Sequence, residues 1–300
     1  MNATAHADHT AHAHHTTDTH SDHNIHHTSD AHRIHAHHAS ETSGGHTHHA
    51  PDAHATHTAT PPGGLQITEA GYTLALETPI VDAGAIDLRF RILGPDGGVV
   101  TGFTPIHERE LHLIVARREL TGFQHVHPVR DEHGTWSIRL DVTEPGAYRV
   151  FTDIAPRELG RTLTLGADLA VAGHYDPRPT PATERTVTVD GYNVTVEGDP
   201  APGVGRILTF TVDKDGAPVT DLDPYLGAYG HLVVLRAGDL AYVHVHPSGE
   251  PGDGITPAGP GIDFHTVVPG PGIYRLFLDF QHQGIVRTAA FTLNAPLAGH

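Results

Sequence analysis

Gly84, Asp96-Gly97, Thr101, Pro105, His112, His125, His127 and Pro128 recur as Gly203, Asp215-Gly216, Thr220, Pro224, His231, His244, His246 and Pro247. The offset is a constant 119, without a gap over 45 positions. Further on, "GAYRVFTD" at 146–153 meets "GIYRLFLD" at 272–279, and Arg161-Thr162 meets Arg287-Thr288, both at an offset of 126. The seven extra residues fall in the Gly- and Pro-rich loop "SGEPGDGITPAGPG"; upstream, Gly71-Tyr72 matches Gly191-Tyr192. Whatever one copy folds into, the other must fold into as well. Two copies joined by the Pro-rich "YDPRPTPATE" read as two beads, since a stacked solenoid needs at least three repeats.

Within each copy apolar residues alternate, as in "AIDLRFRIL" (85–93), "TWSIRLDV" (135–142), "YNVTVE" (192–197) and "RILTFTV" (206–212). A period of two is the signature of a strand with one buried face. Turn signals such as "GPDGG" and "DKDG" punctuate the runs, and no segment has helical periodicity. Roughly seven short strands in about 110 residues predict an all-β chain of two tandem immunoglobulin-like β-sandwich domains, with a barrel as the nearest competitor. The repeated Tyr148 and Tyr274, in G-x-Y-R, fit the tyrosine corner of such sandwiches. Arg149 and Arg275 are placed to pair with Asp153 and Asp279 along one strand face.

Residues 1–60 are of another kind. They hold eighteen of the thirty histidines, among Ala, Thr, Asp and Ser, with almost nothing apolar beyond Ile25 and Ile34. Such a stretch cannot bury enough surface to offset the entropy of ordering, so it reads as a disordered tail. The expected organisation is a tail over 1–62, one sandwich over 63–174, a linker over 175–184 and a second sandwich over 185–300.

Composition removes several classes of function. There is no cysteine, which excludes disulfides, thiolate catalysis and cysteine-ligated zinc or copper; Met1 is the only methionine, which argues against a thioether site. A formal charge of −17 makes nucleic acid an unsuitable partner, although thirty histidine protons would carry it to +13. No basic start followed by an apolar run marks a signal peptide, and no stretch is long and apolar enough for a membrane span. On the sequence as given the expected location is cytoplasmic, or extracytoplasmic if the start is misassigned.

The chemistry concentrates in "HLIVARRELTGFQHVHP" (112–128) and "HLVVLRAGDLAYVHVHP" (231–247). The second is a hairpin around Ala237-Gly238-Asp239. A turn centred on Ala237-Gly238 sets His231 opposite His244, and one centred on Gly238-Asp239 sets it opposite His246. Either register puts His231, His244 and His246 on one face, as it does His112, His125 and His127 in the first copy. Opposed Cβ atoms are about 5 Å apart and diagonal ones about 7 Å, a span over which three imidazoles can meet on one ion. Each triplet is therefore expected to hold one divalent ion, Cu²⁺, Zn²⁺ or Ni²⁺, which imidazole suits alike. The histidine-rich tail would gather the same ions weakly and in number.

Competing readings are fewer. "HEREL" places His107 and His112 five apart, which a helical H-E-x-x-H site cannot use. His133, His265 and His282 have no counterparts in the other copy and read as surface or accessory histidines. A three-histidine enzyme centre, cupin-like or hydrolytic, lacks a visible general base. An interaction or pH-responsive module would keep the histidines as structural residues.

Through "PYLGAYGHLVVLRAGDLAYVHVHP" and "GIYRLFLDFQHQGIVRTAAFTL" the second copy resembles actinobacterial proteins labelled heavy-metal-binding or heavy-metal-associated, which accompany copper or heavy-metal export systems. The first copy resembles the same module through "LHLIVARRELTGFQHVHP" and "GAYRVFTD", so the likeness spans about residues 65 to 293. It implies a non-enzymatic buffer or carrier of metal ions, partnered by a metal-export system. Many of those relatives carry an N-terminal membrane anchor where this chain has its histidine segment.

Overall fold

A computed structural model describes residues 61–297; the tail reading over residues 1–60 lies outside them. The described residues are all-β, with no helix among them, and hence none long and apolar enough to cross a membrane. Domain 1 has seven principal strands: β1 (Tyr72–Leu76), β2 (Gly84–Leu93), β3 (Leu111–Arg117), β4 (Gln124–Val126), β5 (Trp136–Val142), β6 (Gly146–Ile154) and β7 (Leu163–Ala172). Domain 2 repeats them as β8 (Tyr192–Glu197), β9 (Arg206–Lys214), β10 (His231–Arg236), β11 (Tyr242–Val243), β12 (Gly261–Thr266), β13 (Gly272–His282) and β14 (Ile285–Ala295).

In each copy one sheet runs β1-β2-β5 or β8-β9-β12, and the other β7-β6-β3-β4 or β14-β13-β10-β11. This is the immunoglobulin-like sandwich expected from the alternating runs. Short strands extend the edges, among them Ile80–Asp82, parallel to β7. Both corner tyrosines do what that fold asks of them: Tyr148 Oη donates to Glu144 O at 2.8 Å and Tyr274 Oη to Gly270 O at 2.7 Å.

Three apolar cores form among the described residues. Leu74, Phe90, Leu113, Trp136, Val150 and Leu165 belong to that of domain 1, and Val194, Phe210, Val234, Phe264, Leu276 and Phe291 to that of domain 2. The third lies between the domains and contains Ile114, Ala116 and Phe151 of one with Val233, Leu235, Tyr242 and Phe277 of the other. The beads are thus docked through equivalent sheets. Every residue of β3 is buried because Leu111, Leu113 and Val115 point into their own sandwich while Ile114 and Ala116 point at the neighbour. Hydrogen bonds cross the seam as well: Tyr242 N donates to Gly63 O at 3.0 Å, and the Arg118 side chain donates through Nη2 to Gly238 O at 3.2 Å.

The rings of Phe123 and Phe277 stack at the seam, 3.9 Å apart and within 3° of parallel. Phe277→Ala is expected to cost about 3–5 kcal/mol, the usual range for deleting a buried aromatic ring. The only tryptophan, Trp136, lies in domain 1. If the seam couples the domains, its fluorescence transition in urea shifts to lower denaturant although the substitution is in domain 2; an unchanged transition would mean that the domains fold independently.

Candidate metal centre at the domain interface

Strand register assembles the centre. His112 on β3 pairs with Asp153 on β6, which pairs with Thr164 on β7; in domain 2, His231, Asp279 and Thr288 form the same row on β10, β13 and β14. Thr164 Oγ1 donates to Asp153 Oδ1 at 2.9 Å, and Thr288 Oγ1 to Asp279 Oδ1 at 2.5 Å. Each carboxylate thereby keeps Oδ2 free to face the opposite domain.

Asp279 uses it on the first triplet. His125 Nδ1 donates to Asp279 Oδ2 at 2.7 Å, a contact between domains with both side chains buried. His112 Nε2 donates to Ile106 O at 2.8 Å. A carbonyl only accepts and a carboxylate in this position also accepts, so these bonds place the protons on the outward nitrogens of both rings. The inward atoms, His112 Nδ1 and His125 Nε2, then face each other at 3.0 Å, and His127 Nε2 stands 3.2 Å from His112 Nδ1. Two lone pairs at that distance call for a proton or a cation between them. Burial opposes the proton, pushing His112 down to about 3 and His127 to about 4, with further depression from the neighbouring His125. Donors on a tetrahedral ion with 2.0–2.1 Å bonds stand about 3.3 Å apart, so the three nitrogens already have nearly the spacing of a ligand set. Outward nitrogens held by a carbonyl and a carboxylate are the usual support of metal-bound histidines.

The second triplet does not close in the same way. The two ladders share one register, centred between Glu119 and Leu120 and between Gly238 and Asp239, the second of the alternatives above. That between β10 and β11, however, has only two pairs. At His246 the chain has already crossed to the opposite sheet, where it pairs with His265, whereas the first copy crosses only at Val129. His231 consequently joins the first cluster, with its ring 4.7 Å from that of His125 and 5.2 Å from that of His112. His244 and His246 stay together at 4.8 Å, and His244 Nδ1 is 3.7 Å from Asp153 Oδ2, too long for a hydrogen bond.

Three participants escaped the sequence reading. His107 follows Ile106 in a turn where both it and Glu108 have positive φ (45° and 67°), and its ring is 5.5 Å from that of His231. Asp153 and Asp279 do not pair with the arginines two strand-turns away. Arg149 instead binds Asp168 at 2.8 Å and the carbonyls of Gly64 and Leu65; Arg275 binds Thr292 Oγ1 at 2.8 Å. The signal was present in the aspartate that ends both "YRVFTD" and "YRLFLD". Of the accessory histidines, His133 and His265 are exposed, while His282 is buried between Tyr192 Oη at 2.8 Å and Asp221 at 3.1 Å.

Fold and site together define a protein of two docked immunoglobulin-like domains with a histidine-lined seam. The chain belongs to the family described as Domain of unknown function (DUF8832), which matches residues 66–171 and again 187–296. No curated protein matches it. Similar solved structures include InvD of Yersinia pseudotuberculosis (14% identity over 76% of this chain and 58% of that one, TM-score 0.25). Others are alpha-2-macroglobulin of Escherichia coli (12%, 75% and 20%, TM-score 0.24) and MtrC of Shewanella baltica (10%, 76% and 71%, TM-score 0.23). The chain therefore spans 58% and 20% of the lengths of the first two.

Proposed function

We propose that the protein binds a divalent first-row ion, Cu²⁺, Zn²⁺ or Ni²⁺, at His112, His125 and His127, and acts as a buffer or carrier without turnover. The observation that carries this reading is the convergence of three ring nitrogens at 3.0 and 3.2 Å while the opposite nitrogens of His112 and His125 are tied to Ile106 O and Asp279. Two imidazoles fixed in this sense offer lone pairs without further rearrangement. Burial of His112 and Asp279, at 1% and 2% exposure, favours holding an ion over presenting it to a substrate. The histidine-rich stretch at 1–60 would collect ions at lower affinity for the centre, and a metal-export system is the partner such a role implies.

Asp279 should act by orienting His125 and holding the proton on its Nδ1, so that Nε2 faces the ion. Asp279→Asn keeps the shape and removes the charge, and the expected result is roughly a 10–100-fold loss of affinity, as for other supports of metal-bound histidine. Competition of the full chain against a chromophoric chelator measures it. Unchanged affinity would show that the ion is held elsewhere.

A further inference from the structure

We infer that His231 of domain 2 is a fourth ligand of the same ion, so that the ion is clamped between the two domains. The inference rests on the reading of His112, His125 and His127 as ligands. Four imidazoles on one tetrahedral ion, each bonded at 2.0–2.1 Å, have ring centroids about 5 Å apart. Among His112, His125, His127 and His231, five of the six ring pairs lie between 4.7 and 5.3 Å; His127–His231 is not among the close pairs, so ion binding has to draw those two rings together. His231 is as close to His112 and His125 as those rings are to each other.

A second observation comes from His231 itself. Its Nδ1 is buried and has no hydrogen-bond partner among the described residues. An orphaned ring nitrogen costs about 1–3 kcal/mol, a penalty that a bound cation removes. His231, His125 and Asp279 each place a donor atom within 4.8 Å of the others, which ties His231 to the cluster through His125.

Charge supplies the third. Asp153 and Asp279 are buried at 5% and 2% exposure, and no Lys or Arg among the described residues pairs with either; the nearest ring nitrogens are those of His244 and His125. A buried carboxylate with no Lys or Arg partner is costly, and a divalent cation held beside it offsets that cost. Four nitrogen donors, one of them supported by Asp279, make a closed site suited to Zn²⁺ or Cu²⁺, in which ion binding and domain docking reinforce each other.

The test separates a ligand from a packing ring. His231→Phe in the full chain retains a flat ring against His112 but has no nitrogen. With Co²⁺ as probe, held against a competing chelator, the wild type should give the intense visible bands of a tetrahedral ion. His231→Phe should bind at least 10-fold more weakly, with bands altered by an oxygen donor. Wild-type affinity and spectrum in His231→Phe would overturn the inference and leave the three-histidine site standing, whereas no tightly held Co²⁺ in the wild type would overturn the three-histidine reading itself. Should the variant fold poorly, X-ray absorption of the wild type at half an equivalent of Zn²⁺ decides. Four imidazoles support the clamp, and three with an oxygen refute it.

Discussion

His127→Gln is expected to weaken the tightly held ion on the order of 100-fold or more, because it removes a donor and not merely a support. By the conversion of about 1.4 kcal/mol per tenfold, that is a loss near 3 kcal/mol of binding free energy. The metal-free fold should change little, since His127 is only half-buried at the end of a short strand edge. The paired substitution His244→Ala with His246→Ala is the internal comparison. Those two histidines belong to neither group of converging donor atoms; His244 Nδ1 is 3.7 Å from Asp153 Oδ2, and His246 pairs with His265 on the other sheet. They should leave the tight ion in place, contrary to what the repeated spacing predicts. If instead their loss removed the ion and His127→Gln did not, the centre would have been assigned to the wrong copy.

The second large effect is on stability against pH. Burial lowers His112 to about 3 and His127 to about 4, and also lowers His107, His231 and His246 from the ordinary value of 6.5. A histidine whose folded pKa is depressed takes up protons more readily when unfolded. Its stabilising contribution is complete above pH 6.5 and is lost as pH falls from there toward the folded value. For His112 alone the loss between pH 7 and pH 4 is on the order of 3 kcal/mol, at about 1.4 kcal/mol per pH unit below 6.5. Asp153 works the other way: burial raises its pKa, so its contribution grows as it becomes protonated, offsetting part of the histidine effect at the acid end. Urea unfolding followed by Trp136 fluorescence from pH 7.5 to 4.5 should give a midpoint that drops steadily below pH 6.5. A flat or rising midpoint would mean that the seam does not keep these imidazoles neutral.

What the sequence disclosed was local. The duplication, the alternation in "AIDLRFRIL" and the corner tyrosines follow from periods and offsets along one chain, and so does the meeting of His112, His125 and His127, which needs only a hairpin and its register. What it hid was the third core. A run such as "LHLIVAR" is apolar on both faces, and a strand buried twice looks like a strand buried once with a few extra valines. Once the domains dock, His231 leaves its own triplet for the neighbour's, and Asp279 becomes the support of His125. The divergence of His246 depends on where the chain changes sheets, at His246 in one copy and Val129 in the other. The proline common to both copies, Pro128 and Pro247, does not distinguish them.

The number of ions that the full chain retains against a competing chelator tests the metal-binding role most directly. Zn²⁺ is supplied in excess, the free concentration is buffered low enough to strip weak imidazole sites, and retained metal is counted per chain in the wild type and in His125→Ala with His127→Gln. The expected result is one Zn²⁺ per wild-type chain and none in the double variant, whose histidine-rich N-terminal segment is unaltered. Equal retention by the two proteins, at one ion or at none, would contradict a metal centre at the domain seam.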